Sequence, residues 1–199
     1  MQVKICGIQT VEAAQIAADA GADYIGFVFA PSKRKISPKK AAMIVKQIDS
    51  PVKKVGVFVN EAPENINRIA REVGLDIIQL HGDELPSIVN QLAYPTIKAY
   101  SIDQVIGMDN IPFPSNYLLI DSPPTIYRGG SGKIFDWQLA KELPIPSHRL
   151  ILAGGLTPEN VQQAIATVQP ACVDVSSGVE TNGEKDHEKI IQFIANAKG

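Results

Sequence analysis

The sequence predicts an α/β protein, a single-domain (β/α)8 TIM barrel over residues 1–199. Three observations carry the prediction. Eight short runs rich in Val, Ile, Leu and Phe recur roughly every 20 to 30 residues, most of them followed by a longer amphipathic stretch, which is the pattern of βαβ units and a parallel sheet. Eight such units over the whole length exceed the usual open doubly wound sheet of about five to seven strands and fit a closed barrel, typically about 250 residues with about 200 near the lower limit. No Gly-x-Gly-x-x-Gly follows the first run, which counts against the open dinucleotide-binding sheet.

In chain order the strands are Val3–Cys6, Tyr24–Phe29, Lys54–Val59, Ile77–Leu80, Thr96–Tyr100, Tyr117–Ile120, Leu150–Ala153 and Cys172–Val175. Thr10 opens an Ala-rich helix that ends at Gly21. Ser37-Pro38 sets an N-cap before a proline at the first helical position, where its missing N–H costs nothing. Thr157-Pro158-Glu159-Asn160 repeats the device, with an acidic residue in the first turn to suit the helix dipole. After the fifth strand only a short helix fits, because Ile111-Pro112-Phe113-Pro114 cannot continue one. Asp186 caps a last helix that runs through Phe193 to about Ala197.

Composition narrows the function classes. Of 199 residues 45 % are hydrophobic, and 19 Lys and Arg against 21 Asp and Glu give a net charge of −2, so neither disorder nor a nucleic-acid binder is expected. Two cysteines, Cys6 and Cys172, are too few for a disulfide framework or a Cys-rich zinc site. No apolar run approaches the roughly 20 residues of a membrane span, and the N-terminus lacks a signal-peptide pattern. A soluble, reduced, cytoplasmic protein is expected. The three histidines and the scattered carboxylates show no metal-ligand spacing, so no metal is expected.

A barrel places its active site at the C-terminal ends of its strands. There the sequence changes character, to Cys6-Gly7, Ala30–Arg34, Asn60-Glu61, His81-Gly82-Asp83, Ser101, Asp121-Ser122, Gly154-Gly155 and Ser176-Ser177-Gly178. Gly154-Gly155 after strand seven and Ser176-Ser177-Gly178 after strand eight form a phosphate signature, since glycine lets the backbone approach an anion and free N–H groups supply donors. Cys6 shares a strand face with Lys4, and a nearby cation favours the thiolate; the plain alternative is a buried apolar cysteine, which is how Cys172 reads. Asp121 ends an apolar run and suits a general acid held by low-dielectric walls. His81 shares its face with Gln79 and is equally a substrate contact or a structural residue. In the basic cluster Ser32–Lys35, Arg34 stands out because a guanidinium forks onto a carboxylate. Tyr127–Lys133 is glycine-rich and reads as a lid rather than a Walker motif.

Together these segments resemble the phosphoribosylanthranilate isomerase family of tryptophan biosynthesis. The resemblance rests on Val3-Lys4-Ile5-Cys6-Gly7-Ile8, Gly26-Phe27-Val28-Phe29, Ser32-Lys33-Arg34, Val55–Asn60, Gln79-Leu80-His81-Gly82, Gly129–Trp137, Leu152–Leu156 and Val173–Glu180, in family order along the whole chain. It implies an Amadori rearrangement of N-(5-phosphoribosyl)anthranilate, a small phosphoribosyl substrate, without a cofactor. It implies Asp121 as general acid and Cys6 as general base. It further implies Arg34 as the grip on the anthranilate carboxylate, His81 and Asp174 as pocket-lining residues, and Gly154, Gly155, Ser176, Ser177 and Gly178 as the phosphate cradle. A monomer or homodimer is expected, with no nucleic-acid or membrane partner. Other phosphate-binding barrels fit less well. The chain begins directly at strand one, without the extension of an indole-glycerol-phosphate synthase, and shows no carboxylate pattern for the metal-diphosphate site of a thiamine-phosphate synthase. An isomerase of the related histidine-pathway aminoaldose and a non-catalytic phosphosugar-binding barrel remain as alternatives.

Overall fold

A computed structural model describes residues 1–123 and 135–199. Eight parallel strands close into a barrel: β1 (Gln2–Cys6), β2 (Tyr24–Val28), β3 (Lys53–Phe58), β4 (Ile77–Leu80), β5 (Thr96–Ser101), β6 (Tyr117–Asp121), β7 (Leu150–Leu152) and β8 (Cys172–Val175). Each pairs with its sequence neighbour, and β8 closes on β1 through Val3↔Val173 and Lys4↔Asp174. The sequence-predicted strands match these to within about a residue, because a buried parallel strand is a local apolar run.

Side-chain alternation divides the core in two. One set, including Val3, Ile5, Ile25, Phe27, Ile78 and Leu80, faces the helices. The other fills the barrel with Tyr24, Val55, Ile77, Ile97, Ala99, Leu119, Ile151, Ala153 and Cys172. Cys172 is therefore core, as its setting in the sequence suggests.

The outer ring contains α1 (Val11–Asp19), α2 (Pro38–Gln47), α3 (Pro63–Val73), α4 (Ile102–Val105), α5 (Trp137–Lys141), α6 (Val161–Val168) and α7 (His187–Lys198). Thr10, Ser37 and Asp186 cap α1, α2 and α7 by accepting from the N–H groups of Ala13, Lys40 and Lys189. The buried residues of α3 (Ile66, Ile69, Ala70, Val73) and of α7 (Ile190, Phe193, Ile194, Ala197) fall at helical spacing and face the sheet. Among the described residues no helix is long and apolar enough to cross a membrane.

One helix start differs from the sequence expectation. Residues 158–160 form a turn, and α6 begins only at Val161 with Asn160 as its N-cap. The Asn160 amide explains the delay: its Oδ1 accepts from Thr157 N–H at 2.8 Å and its Nδ2 donates to Gly155 O at 2.9 Å. The side chain folds back and shapes the loop after β7 instead of allowing the helix to start at Pro158.

The ring is thin beside β4 and β5, where a 3-10 segment (Pro86–Gln91) and the single turn of α4 stand in for full helices. Here Lys98 of β5 points outward and is buried, donating to Gly82 O and to Glu84 Oε2, both at 2.6 Å. Glu84 also accepts from Asn60 N–H at 2.9 Å and from Gly82 N–H, so one ion pair ties together the loops after β3 and β4. The second of those loops carries His81.

Candidate active site

At the C-terminal ends of the strands lies a cavity of about 300 Å³. Cys6, Arg34, His81, Asp121, Gly154, Gly155, Asp174, Ser176, Ser177 and Gly178 all line it. These residues come from six strands or strand ends spread across the chain, and barrel closure alone brings them together. Tyr127–Lys133, read as a lid from its glycines, lies outside the described residues.

Cys6 ends β1 with 8 % of its surface exposed, against an apolar wall of Val28, Ala30 and Val57. Lys4 lies behind it, wholly buried, with Nζ 2.9 Å from Asp174 Oδ1 on β8. The expected shared face is thus present, but the balance differs from the sequence reading. Burial pushes the thiol up by more than the Lys4 charge pulls it down, and the Asp174 carboxylate adds to the rise. A cation beside Cys6 does not by itself make a thiolate.

Asp121 closes β6 and is 5 % exposed. Its Oδ1 accepts from the Ser122 N–H at 2.7 Å and from Ser122 Oγ at 3.2 Å, while Oδ2 lies 3.8 Å from His81 Nε2. Gln79 Nε2 lies 3.1 Å from His81 Nδ1. With that amide donating, the imidazole carries its proton on Nε2, toward Asp121. Burial lowers the His81 pKa to about 4, so the ring is neutral at pH 7.

Arg34 crosses the mouth of β1. Its Nε and Nη2 donate to Glu180 Oε1 and Oε2 at 2.6 and 2.8 Å, a bidentate fork. Lys185 Nζ donates to the same carboxylate at 2.7 Å and to Ser176 O at 2.8 Å. Glu180 and Lys185 sit on the two strands of a small hairpin, β9 (Glu180–Thr181) and β10 (Glu184–Lys185). Sequence reasoning missed both: Glu180 lies 146 residues from Arg34, and an acidic residue in a polar loop carries no signal of its own. The expected fork on a carboxylate exists, but within the protein, which leaves Nη1 and one Nη2 hydrogen for a ligand.

The glycines have steric reasons to be there. A Cβ on Gly178 would lie 1.8 Å from Leu156 O, so only glycine lets the loops after β7 and β8 meet. A Cβ on Gly154 (φ +84°) would lie 2.5 Å from Ser122 N and 3.1 Å from Asp121 Oδ1, so this glycine also seats Asp121. Gly7 (φ +81°) makes room for Arg34, whose Cδ would be 2.5 Å from an added Cβ. Ser176 Oγ donates to Cys6 O at 3.1 Å and ties β8 to β1. A 3-10 turn, Ser177–Val179, follows, and the first N–H groups of such a turn have no partner inside it. We expect Gly178→Ala to cost about 1–3 kcal/mol of stability through overpacking and to raise the KM for a phosphorylated substrate at least about tenfold. Urea unfolding and steady-state kinetics would measure the two; an unchanged KM would show that the junction of these loops does not shape the substrate site.

Comparison with known proteins gives one answer. Residues 3–196 match the family model described as N-(5'phosphoribosyl)anthranilate (PRA) isomerase. An N-(5'-phosphoribosyl)anthranilate isomerase of Oceanobacillus iheyensis is 51 % identical over 200 residues, covering 100 % of this chain and 97 % of its own. Among solved structures, a phosphoribosyl anthranilate isomerase from Thermus thermophilus superposes with a TM-score of 0.88 at 36 % identity, covering 100 % and 98 % of the two chains. A phosphoribosyl anthranilate isomerase in complex with reduced 1-(o-carboxyphenylamino)-1-deoxyribulose 5-phosphate has a TM-score of 0.81 at 40 % identity, with the same coverage.

Proposed function

The chain belongs to the N-(5'-phosphoribosyl)anthranilate isomerase family, and from that membership we propose how its cavity works. It is an isomerase of L-tryptophan biosynthesis that converts N-(5-phosphoribosyl)anthranilate into 1-(2-carboxyphenylamino)-1-deoxyribulose 5-phosphate. The observation that carries the assignment of roles is that Cys6 and Asp121, at the tips of β1 and β6, line one cavity together with Arg34 and the glycine-containing loops after β7 and β8.

Asp121 acts as general acid and protonates the furanose ring oxygen, and the ring opens to a Schiff base. Cys6 acts as general base and removes the proton from the adjacent ribose carbon. The resulting enolamine tautomerises to the ketone. The substrate's own nitrogen accepts the electrons, so the scheme calls for no cofactor. The loops at Gly154-Gly155 and Ser176–Gly178 hold the phosphate at one end. At the other end, Arg34, Glu180 and Lys185 together carry one net positive charge, suited to a single carboxylate. His81 and Asp174 line the wall between. Two anchors fix the reacting carbon between acid and base, which is the orientation that such a rearrangement needs. A phosphorylated substrate is retained by the cell's membrane, so the reaction belongs in the cytoplasm.

The direct test generates the substrate in situ from anthranilate and phosphoribosyl pyrophosphate with a separate transferase, then follows loss of its fluorescence after adding the protein. Turnover is expected, and its absence in folded protein would favour a binding-only barrel. Arg34→Ala loses charge-assisted hydrogen bonds of about 1.5–3 kcal/mol, so kcat/KM is expected to fall about 10- to 100-fold, largely through KM. Unchanged kinetics would remove Arg34 from the substrate site.

A further inference from the structure

Behind Cys6 the barrel buries a charge where its neighbours are apolar. Lys4 is 0 % exposed, on the inward face that elsewhere holds Tyr24, Val55, Ile77 and Ile97. Its ammonium donates to Asp174 Oδ1 at 2.9 Å, and its charge also acts on Cys6, two residues on along the same strand face. Stability does not explain the arrangement, since a buried ion pair is generally no better than apolar residues of the same volume. Space has nevertheless been made for it. Cys6 pairs with Gly26 across β1 and β2, and a Cβ on Gly26 would lie 2.9 Å from Cys6 Sγ and 3.2 Å from Lys4 Nζ. A missing side chain on β2 thus leaves the sulfur and the ammonium facing the same small space.

We propose that Lys4 is a positioning residue that holds the Cys6 thiolate, and that Asp174, by sharing the same ammonium, sets how much of that charge the sulfur receives. This rests on the reading of Cys6 as the base. The other charges that act on the sulfur come from Lys185 on the hairpin and Arg34 after β2, both already engaged with Glu180; the apolar wall beside it is Val28, Ala30 and Val57. Burial alone would keep the thiol protonated, and the Lys4 charge is the foremost influence that opposes it, ahead of Lys185.

The proposal predicts shifts of opposite sign. In Lys4→Met the sulfur keeps the Asp174 carboxylate and loses the ammonium, so its titration midpoint is expected to rise by about one to three pH units. In Asp174→Asn the ammonium is left to the sulfur, so the midpoint is expected to fall. The double variant Lys4→Met/Asp174→Asn removes both charges, leaves no unpaired ion to unfold the barrel, and is expected to lie between the wild type and Lys4→Met. Thiolate ultraviolet absorbance of the full-length proteins, each against its own Cys6→Ala blank, gives the midpoints. The rise of kcat/KM with pH is expected to move upward in Lys4→Met by the same amount. Equal midpoints in all four proteins would overturn the role of Lys4 even if activity fell. An active Cys6→Ala would instead overturn the assignment of the base, so the two failures are distinguishable.

Discussion

Asp121→Asn is expected to lower kcat by at least about 10²-fold while leaving the fold and substrate binding nearly intact. The side chains are nearly isosteric, and the amide oxygen can still accept from the Ser122 N–H that holds Oδ1 at 2.7 Å. The amide has no proton to give to the ring oxygen. Among the described residues a candidate to replace it is His81, 3.8 Å away, but burial holds its pKa at about 4, so at pH 7 it is a neutral ring and a poor acid. Arg34 and the loops after β7 and β8 are untouched, so KM should change only a few-fold. Steady-state kinetics with a thermal melt of the same preparation would check this. Retention of more than about a tenth of wild-type kcat in folded protein would move the acid to another group.

Cys6→Ala is expected to be as damaging, again at least about 10²-fold in kcat, because among the described residues the carboxylate beside the sulfur, Asp174, is already engaged by Lys4. The sulfur is surrounded by Val28, Ala30 and Val57, and the charged neighbours Lys4 and Lys185 are cations hydrogen-bonded to carboxylates. The backbone at this point is held independently of the thiol: Gly7 N–H donates to Gly26 O and Ser176 Oγ donates to Cys6 O. Loss of activity would therefore report chemistry rather than collapse. Cys172→Ala is the matched control. That thiol is packed inside the barrel beside Ile151, and burial pushes it well above the ordinary range, so activity should survive its removal. Equal activity of Cys6→Ala and Cys172→Ala would exclude a base at Cys6.

Much of this site was legible in the chain because its parts are local. Strand tips announce themselves where an apolar run stops at a glycine, a cysteine or an aspartate, as at Cys6-Gly7 and Asp121-Ser122. The helix caps at Thr10, Ser37 and Asp186 are equally local, each a side chain reaching an N–H three residues on. Thr157-Pro158 misled because a competing side chain, Asn160, uses both ends of its amide to hold the loop, and residue type alone does not say which cap wins.

By itself the sequence determined the architecture, the family, the order of the strands and the residues at the strand ends that line the cavity. Periodicity and end chemistry are written within a few residues of one another, and eight repeated units leave few ways to pack. The tertiary structure decided which charges meet. Lys4 is paired with Asp174 across 170 residues of chain and Arg34 with Glu180 across 146. It also decided that Cys6 is held toward the thiol, that His81 is neutral, and that Gly26, Gly154 and Gly178 make room for particular neighbours. The physical reason is the same in each case. Ionisation and close contact depend on burial and on distances of a few ångströms, and these exist only once β8 has closed against β1.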